Sequence, residues 1–240
     1  MGRSNHTTPD MGNSMTIIAG QWTERVPEGT EGAVARRLTK GSNEGSTVWE
    51  LHWPTLENLS LMTARVVTPE GFSKQQVEMS FKDFKTNEVF LTSLQFDSKY
   101  LKTFIMCLPQ LNASLPFNLE LHKGKGKSPN GDDKYNLRVV QEGKSLKTTH
   151  FQEWKKDANG NNVCLHHNGC PAPIHDERDN SYDFKDQNYF LLDYLAVFMD
   201  TYEPPTSPCP VADEPVSTEA SAPPPPDINI NDADDDDVPF

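Results

Sequence analysis

The chain has 240 residues, a formal net charge of −13 and four cysteines, one of which, Cys209, lies in the C-terminal segment. That length suits one domain of ordinary size, and no apolar run approaches the about 20 residues that a membrane-spanning helix needs. The scattered cysteines argue against a disulfide framework, so we expect a cytoplasmic protein that contacts no membrane. The charge is uneven, because residues 203–240 hold ten acids and no base while residues 1–202 have a net charge of −3.

The apolar patterning predicts a mainly β protein. Residues 1–20 are rich in small polar residues, which is typical of a flexible N-terminus. Period-two alternation and β-rich runs then predict six strands, at Thr47–Trp53, 59–68, 77–84, 89–96, 115–121 and 135–141. Ser98 begins a helical pattern that Pro109 ends, between the fourth and fifth of these strands. Glu142-Gly143-Lys144 predicts a tight turn into a further strand at 145–154.

Several strands, one helix and then a hairpin follow the order of an OB-fold. That fold binds single-stranded nucleic acid through one strand face and its long loops. Residues 155–188 are polar and irregular, and residues 188–202 predict an apolar helix that packs onto the barrel. We therefore predict an OB-fold-like barrel with a C-terminal helix over residues 21–202.

Residues 203–240 hold ten of the 19 prolines, which predicts a disordered acidic tail. Its last residues are Asp234, Asp235, Asp236, Asp237, Val238, Pro239 and Phe240. An aromatic ring at the end of such a tail cannot be part of a core, so Phe240 needs a partner with an apolar pocket and a basic rim.

This tip resembles the C-terminal tip of bacterial and bacteriophage single-stranded DNA-binding proteins. Their tails end in aspartates followed by Ile-Pro-Phe or a near variant, and Val238 stands where isoleucine is usual. The resemblance covers about ten residues and favours a bacteriophage protein. It implies that the tip docks on a helicase, primase, nuclease or polymerase, and members of that family often form homo-oligomers.

Residues 122–156 carry the residue types that bind single strands, because cations track phosphates and flat rings stack on bases. They hold eight lysines and one arginine against four acids. From this segment we predict contacts to DNA by Lys123, Lys125, Lys127, Lys134, Tyr135, Arg138, Lys144, Lys147, Phe151 and Trp154. Further candidates are Trp49, Trp53, Lys82, Lys85, Arg36 and Arg37. The alternative is a solvated hairpin with surface lysines, and strand aromatics that belong to the core.

Cys164, His166, Cys170 and His175 supply ligand types that zinc prefers, although their spacing matches no common finger and fits a plain loop equally well. We expect no cofactor. P-loop, dinucleotide-turn, Gly-x-Ser-x-Gly and HExxH motifs are missing from the sequence, so we expect no enzyme activity.

The sequence therefore predicts a sequence-nonspecific single-stranded DNA-binding protein of DNA replication, recombination and repair. One alternative is a decoy that uses the tip to capture replication proteins without binding DNA. Another is an enzyme or primosome component that merely ends in this tip.

Overall fold

The computed structural model describes residues 13–39, 43–68, 75–127, 133–178 and 181–205. Within these ranges, the strands are β1 Asn13–Ile18, β2 Gln21–Val26, β3 Val34–Arg37, β4 Thr47–Trp53, β5 Thr55–Val67, β6 Gln76–Asp83, β7 Val89–Gln95, β8 Phe117–Lys127, β9 Asp133–Gln141, β10 Lys144–Ser145, β11 Gln152–Lys156, β12 Asn162–His166, β13 Ile174–Asp176 and β14 Ser181–Asp183. The helices are α1 Lys99–Cys107, followed by a 3-10 turn Leu108–Gln110, and α2 Lys185–Thr201. The prediction of a mainly β protein with one helix between strands and one towards the C-terminus is confirmed.

Ten strands form one sheet, in the order β10-β9-β8-β5-β6-β7-β1-β2-β4-β3. Neighbours are antiparallel except β1 and β7, which run parallel. The long strand β5 serves two neighbours, because its first residues pair with β8 and the residues from Leu59 onward pair with β6. Two shorter hairpins, β11–β12 and β13–β14, lie outside this sheet.

The large sheet curls back on itself. Trp22 on β2 donates its indole N–H to the carbonyl of Leu119 on β8, at 3.1 Å, although four strands separate β2 from β8 in the sheet. The ring of Tyr135 on β9 lies against Gly20, where an added Cβ would sit 2.1 Å from the ring, so this contact requires glycine. Among the described strands no backbone pairing joins β10 to β3, so hydrogen bonding does not close the sheet into a barrel.

Three phenylalanine rings mark the centre of the core. Phe81 of β6, Phe104 of α1 and Phe117 of β8 pack with ring centroids 5.8 to 6.2 Å apart. The two contacts of Phe81 are edge to face, an arrangement that adds stability beyond the burial of apolar area. Helix α1 therefore packs against the core side of the curled sheet.

Neither described helix is long and apolar enough to cross a membrane.

Three segments differ from the sequence-based predictions. Asn13–Ile18, placed in the flexible N-terminus, is a strand in which only Met15 is buried, so the apolar periodicity is weak. Residues 145–154 form only short strands at their two ends, because the chain turns at Thr148 to bury Phe151. Residues 155–188, predicted to be irregular, contain the hairpin β13–β14 and most of the hairpin β11–β12, which begins at Gln152. The predicted tail from residue 206 onward lies outside the described residues.

Candidate functional site

A cleft of about 150 Å³ opens beside β9, between α1 and the segment that follows β10. We call it the α1 cleft. Its lining includes four cationic side chains, which are Lys99, Lys102, Arg138 and Lys147. No aspartate or glutamate is found among the described residues that line it. Four cations without a lining carboxylate form a site that suits an anion.

The spacing of residues on α1 explains why lysines face this cleft. Leu101, Phe104 and Ile105 share one face of the helix and are buried in the core. A neighbouring face at the same i, i+3, i+4, i+7 spacing carries Lys99, Lys102, Thr103 and Met106, all of which line the cleft. The helix therefore turns its apolar face into the core and its lysine-bearing face to the cleft beside β9.

Burial disfavours the charged state of both lysines. The pKa of Lys99 is lowered by burial and, to a smaller extent, by the charge of Lys134, which lies on β9 next to Asp133. The pKa of Lys102 is lowered by burial, and Asp97 opposes this only in part. The Nζ of Lys102 lies 3.9 Å from the centre of the Phe184 ring. A bound anion would favour the protonated state of both lysines.

The β8–β9 hairpin extends the basic surface beyond the cleft. Lys123, Lys125 and Lys127 are exposed along the end of β8. The Asp133 carboxylate accepts hydrogen bonds from Lys127 and from Lys123, the latter at 2.9 Å, and these bonds lower the pKa of Asp133. Exposed ion pairs of this kind are weak, so the lysines can exchange Asp133 for a phosphate.

Several predicted residues thus meet in one region of the molecule. Arg138, Lys147 and Trp154 line the α1 cleft, and Arg138 also lies 3.8 Å from Glu120. Lys144 is exposed at the turn into β10, where Glu142 and Gly143 have φ of 52° and 73°, as a two-residue hairpin turn requires. The predicted tight turn at this position is confirmed.

Phe151 does not fit its predicted role as a stacking residue. Its side chain is 1% exposed and packs edge to face against Phe190 and Tyr194 of α2, with centroids 5.6 and 4.8 Å apart. A ring covered in this way cannot meet a base, so Phe151 belongs to the core. Trp53 is also half-buried and packs against the core, and Trp49 is half-buried four residues earlier on β4.

Arg36 also has a different partner from the predicted phosphate. Its Nε and Nη2 donate to the two carboxylate oxygens of Glu50 at 2.7 and 2.6 Å. The Glu50 side chain is 0% exposed, and these hydrogen bonds lower its pKa. Arg36 therefore neutralises an internal carboxylate. Arg37, Lys82 and Lys85 do not line the α1 cleft.

The four predicted zinc-ligand candidates do not converge. Within the described part of the chain, no group of three His, Cys, Asp or Glu side chains could hold a metal ion. His175 packs against Tyr182 with ring centroids 4.7 Å apart, and His166 Nδ1 lies 3.5 Å from Gln187 Nε2.

Lys99 and Lys102 belong to the site but were missed by the sequence analysis. The available signal was a lysine among the apolar residues of α1, where Lys102 stands between Leu101 and Phe104. No protein-family model, curated protein or solved structure matches this chain. The site combines four cationic side chains in a cleft with an exposed basic hairpin.

Proposed function

We propose that this protein binds single-stranded DNA without sequence preference during replication, recombination and repair, and that it is not an enzyme. The observation that carries the proposal is the order of five consecutive strands around α1, together with the basic hairpin that ends this series. Each of these features has a counterpart in the OB-fold, which is a common scaffold for binding single strands.

The strand order supports an OB-type core. Strands β5, β6 and β7 form a meander, α1 follows, and β8 and β9 form a hairpin whose first strand pairs with β5. The sheet order β9-β8-β5-β6-β7 is that of a partly open five-stranded Greek-key barrel. In this proposal β1 is an extra strand that pairs in parallel with β7, at the edge where the five-stranded barrel is open.

The β8–β9 hairpin corresponds to the long loop through which OB-folds contact nucleic acid. Lys123, Lys125 and Lys127 would contact phosphates, and Lys134 would continue this contact towards the α1 cleft. Arg138 and Lys147 provide further cations within the cleft. Because phosphate contacts are the same for every base, this arrangement favours binding without sequence preference.

The acidic tip, residues 234–240, gives the protein its second proposed activity. These residues lie outside the described ranges, so their role rests on the resemblance to the tips of single-stranded DNA-binding proteins. In this proposal Phe240 enters an apolar pocket of a helicase, primase, nuclease or polymerase, and the aspartates meet its basic rim.

The test is the fluorescence anisotropy of labelled oligo-dT with the full chain over a salt series. We expect affinity to fall with salt, with a log–log slope of about 0.7 per phosphate contact. Replacing Lys123 and Lys125 by glutamine should lower the slope by up to about 1.4. The matched control replaces Arg65 and Arg178, which are exposed and paired with Glu78 and Asp176, and should keep the wild-type slope.

A chain that binds no oligo-dT at low salt would overturn the proposal. If that chain still captured replication proteins, and lost this capture when Phe240 was removed, it would be identified as the decoy. Turnover of the DNA would instead identify an enzyme that carries the tip.

A further inference from the structure

A second groove, lined by aromatic side chains, opens where α2 begins. Phe96, just after β7, lines it together with Tyr182 on β14 and with Phe184 and Tyr189. Tyr182 is 56% exposed, with the His175 ring packed against it at a centroid distance of 4.7 Å, and Tyr189 is 47% exposed. Tyr189 lies against Phe96 with ring centroids 5.1 Å apart, which orients its ring. We call this site the α2 groove.

The α1 cleft and the α2 groove share a wall. Lys102 lines the cleft and places its Nζ 3.9 Å from the ring centre of Phe184, which lines the groove. Consecutive residues of α2 continue the wall, because Gln187 faces the cleft and Asn188 faces the groove. A ligand that leaves the cleft over Lys102 therefore meets aromatic rings next.

The two sites differ in charge. The cleft has four cations and no carboxylate among its described lining residues. Among its described lining residues, the groove has two carboxylates, Asp97 and Asp183, and one cation, Lys185. A phosphate is therefore favoured in the cleft and disfavoured in the groove, whereas a flat uncharged base suits the exposed rings of the groove. Cations that hold phosphates beside rings that stack on bases are the two parts of a single-strand binding site.

We propose that a single-stranded nucleic acid segment crosses from the α1 cleft to the α2 groove, with its phosphates on the cleft lysines and two bases stacked on Tyr182 and Tyr189. This inference rests on the proposed function and adds to it a base-contacting site on the helical side of the molecule. The charge of Lys134 acts on Lys99, so the segment would continue from the basic β8–β9 hairpin.

The experiment measures the anisotropy of labelled oligo-dT with full-length variants at several salt concentrations. Tyr182→Ala and Tyr189→Ala should each weaken binding by about 5- to 150-fold, the equivalent of one lost stacked base, without changing the salt slope. Tyr182→Phe and Tyr189→Phe should bind like the wild type, because a ring without the hydroxyl still stacks. Lys147→Gln should instead lower the slope by about 0.7.

Val197→Ala is the matched control, because Val197 lies on α2 like Tyr189 and is 63% exposed. Binding of a blunt duplex should not respond to the tyrosine variants, since paired bases are not free to stack. Photo-cross-linking of 5-iodouracil oligonucleotides, mapped by mass spectrometry, should label the peptides that contain Tyr182 and Tyr189.

Salt-dependent binding that survives both Tyr→Ala variants, with cross-links only elsewhere, would overturn this site and leave the proposed function standing. A wild-type chain that binds no single strand would overturn both.

Discussion

Two cationic groups of this protein have opposite environments. Arg36 on β3 donates to both oxygens of the fully buried Glu50. Lys102 on α1 is 8% exposed and lies over the ring of Phe184, in a cleft without a carboxylate among its described lining residues. The comparison shows that Arg36 neutralises a buried carboxylate, whereas Lys102 lines a cleft that suits an anion.

The pKa shifts agree with this distinction. The hydrogen bond to Glu50 raises the pKa of Arg36, so the folded protein favours its charge. Burial lowers the pKa of Lys102, so the folded protein disfavours its charge in the absence of a ligand. An anion in the cleft would reverse that preference, since an opposite charge nearby favours the protonated form.

The largest expected effect is on the arginine side of the comparison. Arg36→Ala should lower the free energy of unfolding by about 2–3 kcal/mol, because the buried Glu50 carboxylate loses both guanidinium hydrogen bonds and keeps, among the described residues, only the more distant ion-pair partner His52, at 3.9 Å. This loss is smaller than the about 3–5 kcal/mol that breaking a fully buried ion pair costs, because the Arg36 side chain is 37% exposed. Urea unfolding followed by circular dichroism measures it. Arg37→Ala, next along β3, should change stability by less than about 0.5 kcal/mol, and an equal loss in both variants would contradict the role of Glu50.

The same pair predicts a pH dependence of stability. The folded-state pKa of Glu50 lies below its ordinary value of 4.5, chiefly through the hydrogen bond from Arg36. Its stabilising contribution is therefore complete above about pH 4.5 and is lost as the pH falls through the lower folded-state value. Urea unfolding between pH 7 and pH 3 should show this loss in the wild type. Arg36→Ala should lose less unfolding free energy over the same pH range. Parallel curves of unfolding free energy against pH for the two proteins would contradict this prediction.

The lysine side should respond in the opposite way. Lys102→Met should leave the free energy of unfolding unchanged or raise it by up to about 1 kcal/mol, because it removes a charge that burial disfavours and keeps the length of the side chain. The same variant should weaken single-strand binding. Lys155→Met, at an exposed position on β11, serves as the control. A loss of stability as large as that of Arg36→Ala would show that Lys102 has a structural role.

The smallest expected effect is a difference in how fast the cysteine thiols react, which involves no change in stability. Burial raises the pKa of Cys107, which lines the α1 cleft, to about 12, and that of Cys170 to about 11. Cys164 is half-buried. In a Cys209→Ser background, iodoacetamide at pH 8 should therefore modify Cys164 first, as peptide mass spectrometry would show. Faster labelling of Cys107 would mean that water reaches the cleft wall freely.

Local patterns predicted the elements whose periodicity is strong. Strand Thr47–Trp53 and a helix between Ser98 and Pro109 are confirmed, because alternation, an N-cap and a proline are properties of short segments. The hairpin β1–β2 was missed, since Asn13–Ile18 buries one side chain and pairs with β7 far along the chain. Such pairing depends on the tertiary fold.

The site was predicted in part for the same reason. Arg138, Lys147 and Trp154 belong to a basic segment that composition alone reveals, and they do line the α1 cleft. Lys102 reaches that cleft only because α1 packs beside β9. Phe151 lies in the same basic segment, but α2 covers it with residues about 40 positions later in the chain. Composition identifies the surface, whereas packing decides which of its rings are exposed.

The outermost strands of the large sheet are short. β10 has two residues and β3 has four, although the sheet contains ten strands. An exposed edge strand is a template on which another chain can add a strand, and short edges limit that template. β10 and β3 themselves therefore offer few backbone groups to a strand of another chain.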